Sequence, residues 1–134
     1  MSAVAPIFRM VCTASALAGA PKGWAAETLR EGEVALLVDD GGLQAINDAA
    51  HALDLMTVSI VRSEETAPAQ AQTAMAFAGS FPLVWVGTDF SDAVRAWARE
   101  RLPMTLLVET GGALPDAERG RIARFLALLA RQTE

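Results

Sequence analysis

The sequence predicts a single α/β domain, residues 1–134, in three layers: helices cover both faces of a mostly parallel, five-stranded sheet. Four short apolar runs predict strands, and a stretch that can form a helix follows each of them; the runs cover residues 34–38, 56–61, 83–86 and 104–108. Parallel strands that are buried on both faces have this nearly continuous hydrophobicity. The stretches between the runs are long enough for crossover helices.

The fifth strand is predicted near the N-terminus, at residues 7–14, where the only cysteine, Cys12, has apolar neighbours. A lone cysteine excludes an intrachain disulfide, and the apolar neighbours predict a buried side chain. A rival interpretation makes this segment part of a secretory signal, because small and apolar residues follow Arg9. The position of Pro6 and Phe8 before that charge favours the strand.

Caps, breakers and helical periodicity predict the helices. A short helix is expected over residues 24–30. The next helix opens at Gly41-Gly42 and has four apolar residues at helical spacing: Leu43, Ile46, Ala50 and Leu53. A third helix is expected to begin within residues 63–66, where the carboxylates of Glu64 and Glu65 complement its first-turn N–H groups; Pro68 lies early in it and Gly79 ends it. Together with the strands, these elements predict a flavodoxin-like or Rossmann-like topology.

Two further helices follow the third and fourth apolar runs. Ser91 or Asp89 is expected to cap the first of them. The last helix begins near Pro115 with acids in its first turn, and four apolar residues form its buried face: Ile122, Phe125, Leu126 and Leu129. Gly120 weakens this helix by about 1 kcal/mol relative to alanine, which suggests close packing against a neighbour.

The charge distribution excludes some partners. The net charge is −5, and the ten arginines and the single lysine, Lys22, are spread along the chain without a cluster. Nucleic acid is therefore not expected as a partner, because phosphate binding needs a concentrated basic surface. No apolar run reaches the roughly 18 residues of a membrane-spanning helix, so a soluble, cytoplasmic protein with no membrane partner is predicted.

The turns after the strands predict a ligand site, because right-handed crossovers gather the carboxyl ends of parallel strands at one edge. Carboxylates, hydroxyls and glycines meet at this predicted edge: Asp39, Asp40, Gly41, Thr88, Asp89, Glu109, Thr110 and Gly111. Asp40, Asp89 and Glu109 offer the oxygen ligands that Mg²⁺ prefers. In a competing interpretation, the same residue types only cap helices and form tight turns.

Other reactive groups lack the context that catalysis needs. Gly41-Gly42 and Gly111-Gly112 do not match a phosphate-binding glycine loop. The only histidine, His51, is predicted to face solvent on its helix, and no serine lies in a G-x-S-x-G motif. The sequence therefore indicates no catalytic residue and no specific cofactor, and it does not decide whether the protein is an enzyme.

The segment 34–112 resembles a response-regulator receiver domain, since the acidic pair Asp39-Asp40 follows a strand in an alternating β/α order. The resemblance implies phosphotransfer to an aspartate at the end of the third strand of that fold. This chain has Val86-Gly87 there, and Asp89 comes two residues later.

Two other receiver positions also differ. Val108 stands where the family has Thr or Ser, and no lysine follows it. Residues 29–40 are similar to the helix-to-strand segment of small sulfur-relay subunits, a likeness that would make Cys12 the sulfur carrier and require its exposure.

Three functional hypotheses follow. The first is a non-catalytic regulatory or adaptor module that binds another protein or itself, with Trp24 and Trp97 as candidate interface anchors. The second is a Mg²⁺-dependent or phosphate-accepting site built from the acids of the predicted edge: Asp39, Asp40, Asp89 and Glu109. The third is a small-molecule binder or enzyme that uses the same edge. The first is preferred, because the usual catalytic residue types are absent or badly placed.

Overall fold

The computed structural model describes residues 6–18, 20–38, 42–54, 59–61, 64–101, 104–110 and 113–132. In chain order the elements are β1 (Phe8–Thr13), α1 (Ala14–Ala18), α2 (Trp24–Thr28), β2 (Gly32–Leu37), α3 (Gly42–Ala52), β3 (Ser59–Ile60), α4 (Ala67–Ala78), β4 (Leu83–Gly87), α5 (Asp92–Glu100), β5 (Thr105–Glu109) and α6 (Asp116–Gln132). None of the helices in this described part of the chain is long and apolar enough to cross a membrane.

All five strands are parallel and lie in the order β3-β2-β1-β4-β5. The predicted three-layer α/β/α sandwich with a parallel sheet is therefore confirmed. Within the doubly wound class, this order matches the first five strands of the Rossmann sheet, whose order is 3-2-1-4-5-6. Receiver domains have the order 2-1-3-4-5. The direction of winding reverses between β1 and β4.

The central strand is β1, the segment with the rival interpretation as part of a secretory signal. Met10, Val11 and Cys12 have no exposed surface. The ring of Phe8 lies against Gly32 of β2, where any side-chain carbon would overlap it. This close approach explains why a glycine begins β2, although a glycine inside a strand costs conformational entropy.

Side chains of successive strand residues point to opposite faces, so the sheet has two separate cores. Helices α1, α2, α3 and α6 cover one face, and α4 and α5 cover the other. Met10 and Cys12 belong to the first core, while Val11 and Trp85 belong to the second. Trp85 contacts Trp97 of α5 edge to face, at 6.3 Å between ring centroids.

The predicted helix ends are largely confirmed. The Thr66 hydroxyl accepts a hydrogen bond from the Ala69 N–H at 3.2 Å and caps α4, which ends at Gly79 with a positive φ of 54°. Of the two candidate caps for α5, Ser91 is the one used, and its hydroxyl accepts a hydrogen bond from the Val94 N–H at 3.2 Å. Helix α2 ends two residues earlier than predicted.

Two packing predictions were wrong. Leu43 is 78% exposed, because the buried face of α3 is formed by Ala45, Ile46 and Ala49. Small alanines allow α3 to lie close to α1, so the buried stripe is rotated away from the one that the large residues suggested. Gly120 meets only the flexible end of Arg124 within the described chain, so no close intrachain packing explains this glycine.

The remaining prediction for α6 is confirmed: Ile122, Phe125, Leu126 and Leu129 are buried in the first core.

Candidate functional site

The strand order places the expected ligand crevice near the middle of the sheet. In open α/β sheets, ligands bind where the winding reverses, which here is between the carboxyl ends of β1 and β4. The described polar residues at these strand ends are Thr13, the last residue of β1, Ser15 after β1, and Thr88 after β4. Thr88 was among the predicted edge residues, but Thr13 and Ser15 were not, although the apolar run Met10-Val11-Cys12 before Thr13 is typical of a central strand.

The chain after β5 crosses this region. The Thr110 N–H donates a hydrogen bond to the Gly87 carbonyl at 2.9 Å, and the Leu114 N–H donates one to the Ala16 carbonyl at 3.2 Å. Leu114 itself is buried in the first core. These two hydrogen bonds join Thr110 to β4 and Leu114 to α1. Backbone that follows β5 therefore lies beside the expected crevice.

Glu109 and Asp89 are the two described members of the predicted carboxylate trio. Glu109 forms an ion pair with Arg95 of α5, and both side chains are about half exposed. Asp89 is exposed and has a positive φ of 51°, a conformation that aspartate tolerates in tight turns. Among the residues that the structure describes, no three His, Cys, Asp or Glu side chains form a group that could hold a metal ion.

The other predicted edge residues, Asp39, Asp40, Gly41 and Gly111, lie outside the described residues. Strand order nevertheless sets the distances between the strands that precede the predicted acids. At the usual spacing, β2 is about 10 Å from β4, two strands away, and about 14 Å from β5, three strands away. In a receiver domain the strand that carries the acidic pair lies next to the phosphoacceptor strand, whereas here β1 separates them. The Mg²⁺ trio stays a prediction.

Cys12 and His51 have the environments that the sequence predicted. Cys12 is completely buried in β1, and desolvation raises its pKa to about 12. A sulfur carrier would have to be exposed, so the environment of Cys12 does not fit that role. His51 is exposed near the end of α3, away from the carboxyl edge of the sheet.

The tryptophans pack within the fold. Trp97 lies against Trp85 in the second core, and the guanidinium of Arg101 stacks on it at 4.6 Å. Trp24 packs against the first core. These contacts support the interpretation that both side chains cover the sheet, and they leave less ring surface for an interface.

An apolar surface lies instead at the open edge of the sheet beside β3. We call it the β3 edge patch; it consists of Val38 (47% exposed), Leu43 (78%) and Ile60 (53%). Ile60 pairs in register with Leu36, so their side chains lie on the same face of the sheet, and Val38 is the first residue after β2. Leu43 is in the first turn of α3, which packs on that face.

Among the residues that the structure describes, none pairs with the outer side of β3. The Val61 N–H donates to the Leu36 carbonyl at 2.9 Å, so it points toward β2. Because backbone groups of successive strand residues point in opposite directions, the N–H and carbonyl of Ile60 point away from the sheet. The β3 edge patch therefore combines apolar side chains with free strand-pairing groups.

A shallow depression of about 410 Å³ lies on the outer surface of α4. Its lining residues are Glu64, Pro68, Ala69, Gln72 and Thr73. The Thr73 hydroxyl donates to the Glu64 carboxylate at 2.7 Å, and the Glu64 N–H donates to the Gln70 side chain at 3.0 Å. The polar groups of the depression thus bond to one another, which gives it a structural explanation.

Comparisons of the chain with protein-family models, with curated proteins and with solved structures found no match.

Proposed function

We propose that the protein is a non-catalytic regulatory or adaptor module, and that it works by binding an extended segment of a partner protein at the β3 edge patch. The partner segment would continue the sheet as an added strand, with its own N–H and carbonyl groups bonded to Ile60. Strand addition of this kind obtains affinity from main-chain hydrogen bonds and specificity from the side chains on each face. The observation that carries the proposal is the open, uncharged edge at β3.

The two edges of the sheet differ in a way that supports this proposal. Proteins protect edge strands with charges, because an open edge pairs with other chains. At the β5 edge, Arg95 pairs with Glu109, and Arg101 donates to the Thr105 hydroxyl at 2.8 Å. At the β3 edge, the described residues Ser59, Ile60 and Val61 carry no charge. Such an uncharged edge can accept a partner strand, to which β3 offers two residues for pairing.

The exposed side chains beside β3 indicate the chemistry of the partner. Val38, Leu43 and Ile60 are exposed and apolar: Ile60 lies in β3, Val38 follows β2, and Leu43 lies in the first turn of α3. We expect the partner segment to be extended, uncharged and rich in β-branched or aromatic residues. It would cover the apolar side chains and the Ile60 backbone at the same time.

The carboxyl edge of the sheet supports the alternatives less well. Glu109 is already paired with Arg95, and the segment after β5 lies beside the crevice. A metal or phosphate site there would have to separate that ion pair. Protein binding through β3 requires no such rearrangement.

The test begins with a photocrosslinking amino acid in place of Ile60, in the cells that make the protein. The same amino acid in place of Asn47, which is exposed on α3, is the matched control. We expect one discrete crosslinked protein from position 60 that position 47 does not produce. Hydrogen exchange on the purified pair should then show slower exchange of the Ile60 amide.

Two substitutions separate strand addition from simple apolar contact. Ile60→Pro removes the outward N–H together with the isoleucine side chain, a change that an edge strand tolerates, and it should abolish binding of the identified partner. Ile60→Ala also removes the isoleucine side chain but keeps the N–H, so it should retain binding that Ile60→Pro loses. Equal binding by both variants, or equal crosslinking from positions 47 and 60, would contradict the proposal.

A further inference from the structure

The sheet opens at the carboxyl ends of β1 and β4. Pairing of these two strands ends at Val11 and Trp85, although β1 continues beside β2 as far as Thr13 and β4 continues beside β5 as far as Gly87. The last residues of the two strands therefore lie on either side of a gap in the sheet. This gap is where the direction of winding reverses, the position at which open α/β sheets bind ligands.

Thr13 and Gly87 face the side of the sheet that α4 and α5 cover. Strand alternation puts Thr13 on the same face as Val11, and Gly87 on the same face as Trp85, both in the second core. A Cβ on Gly87 would lie 3.5 Å from the ring of Phe90 and 3.7 Å from Trp85 Nε1, which are ordinary van der Waals distances. The space beside Gly87 therefore has room for at least a methyl group, and aromatic side chains border it.

The indole N–H of Trp85 is a hydrogen-bond donor that the described residues leave without an acceptor. Trp85 is only 6% exposed, and buried tryptophans usually have a partner for this group. Its Nε1 is not among the fully enclosed, unpartnered side-chain atoms of the described chain, so it is reached from the surface. Phe90 contacts the indole edge to face, and an aromatic ring is a weak acceptor. A strong acceptor from outside the chain would complete the bonding of Trp85.

The charges beside the gap favour a neutral ligand. Glu109 pairs in register with Gly87, and alternation places its side chain on the same face as Leu107. Arg95 of α5 already forms an ion pair with this carboxylate. A charged ligand would compete with one member of the pair for the other, whereas a neutral ligand leaves the pair intact. Asp89, exposed in the turn after β4, further disfavours an anion.

We propose that the gap binds a small, neutral, planar molecule whose carbonyl oxygen accepts a hydrogen bond from the Trp85 N–H. We call this the Trp85 site; it consists of Thr13, Trp85, Gly87 and Phe90. The acceptor is required because an indole N–H donates and does not accept, while the Thr13 hydroxyl can do either. A planar shape matches the space between two strands and the bordering rings.

The Trp85 site explains two features that packing within the chain leaves without a role. One is the buried donor of Trp85. The other is the glycine at the end of β4, because Gly87 does not have the positive φ that favours glycine elsewhere in the chain. The proposal does not depend on the proposed function, since the Trp85 site and the β3 edge patch lie on different strands.

The first experiment follows the indole N–H signals of the isotope-labelled full chain by NMR during a titration with benzamide, a neutral planar probe with a carbonyl acceptor. The chain has three tryptophans, and the variants Trp24→Phe and Trp97→Phe identify the other two signals. We expect the Trp85 signal to move downfield and to saturate, with a dissociation constant on the order of 1 mM for so small a probe. The Trp24 signal, from the other layer, should not move.

Two matched probes test the chemistry of the ligand. Toluene has the same ring without an acceptor, and benzoate has acceptors with a negative charge. Neither should saturate the Trp85 shift at the concentrations at which benzamide does. A toluene response equal to that of benzamide would show that the Trp85 site is only apolar. Tighter binding of benzoate would make it an anion site, and either result would overturn the proposal.

A glycine variant tests the location. Gly87→Ala should keep the melting temperature, because the added methyl group meets no close contact, but should weaken benzamide binding at least roughly tenfold, because that methyl group occupies the space beside Trp85 Nε1. Gly120→Ala, the same change in α6 on the other face of the sheet, should leave benzamide binding unchanged. Equal binding by the two variants would overturn the proposal, as would a Trp85 signal that benzamide does not saturate up to its solubility limit.

Thr13→Val keeps the test decisive if Gly87→Ala does not fold. Valine has nearly the shape of threonine without the hydroxyl, so the variant should fold and should bind benzamide roughly threefold to tenfold more weakly. Unchanged benzamide binding by a folded Thr13→Val would place the probe away from the end of β1 and would contradict the proposal.

Discussion

The Cys12 side chain lies in the central strand with no exposed surface, and this burial raises its pKa to about 12. An ordinary thiol, with a pKa near 9, ionises far earlier once the chain unfolds. The folded protein therefore holds a proton that the unfolded chain releases at alkaline pH. The contribution of the Cys12 thiol to the free energy of unfolding is fully present below pH 9 and is lost as the pH rises toward 12.

This difference predicts a pH-dependent loss of stability. Above about pH 9, the free energy of unfolding should fall by up to about 1.4 kcal/mol per pH unit because of Cys12 alone. Urea unfolding at pH 8, 9 and 10 measures the slope, and Cys12→Ala is the matched control. The variant should be less stable at pH 8 because of the cavity, but its slope should be shallower. Parallel slopes for the two proteins would show that the thiol ionises in the folded state.

Leu43 and Gly120 show where residue patterns misled the predictions. The hydrophobic stripe on α3 was assigned from its large residues, yet the alanines of that helix form the buried face. Hydrophobicity alone does not rank alanine above leucine for burial; here the close packing of α3 on α1 favours the small alanine side chains. At Gly120 the sequence indicated a close neighbour, and the described chain provides none.

At the scale of single elements, two arginines stabilise the turn between α4 and β4. Arg101 donates to the carbonyls of Gly79 and Phe81 at 2.9 and 2.8 Å. Arg9 donates to the Phe77 carbonyl at 2.5 Å and stacks on Phe81 at 4.4 Å. Both place positive charge at the carboxyl end of α4, where helix carbonyls are unpaired. The hydrogen bonds of these two arginines connect the end of α4 to β1 and to the end of α5.

Arg101→Met should therefore destabilise the protein. The loss of charged hydrogen bonds to partly exposed carbonyls should cost about 1–2 kcal/mol in the free energy of unfolding. Arg99→Met is the control, because Arg99 is exposed on the same helix and should change stability by less than about 0.5 kcal/mol. Chemical denaturation of both variants measures the difference. Similar losses in the two would mean that Arg101 contributes only through helix propensity or net charge.

For the whole molecule, strand order decides which turns can meet. Because β1 lies between β2 and β4, the end of β2 is about 14 Å from the end of β5 at the usual strand spacing. Of the acids predicted to share a Mg²⁺ ion, Asp89 and Glu109 follow neighbouring strands, but Asp40 follows a strand that is next to neither. Glu109 also has a cationic partner in Arg95.

We therefore expect Mg²⁺ to leave the stability of the protein unchanged. A ligand that binds only the folded state raises the melting temperature, so roughly 10 mM Mg²⁺ would reveal even a weak site. Thermal unfolding should give the same midpoint with and without the ion, for the unchanged protein and for Glu109→Gln. A rise that Glu109→Gln removes would instead support the acidic site.

The sequence by itself determined the fold class, the approximate strands, a helix cap at Ser91 or Asp89, and the buried face of α6. These features depend on residues close together in the chain, through periodicity, hydrogen-bonding side chains and proline or glycine positions. Only the tertiary structure decided that β1 is the central strand, that Arg95 pairs with Glu109, and that one sheet edge is charged while the other is open. Those features depend on contacts between distant segments, which local patterns do not specify.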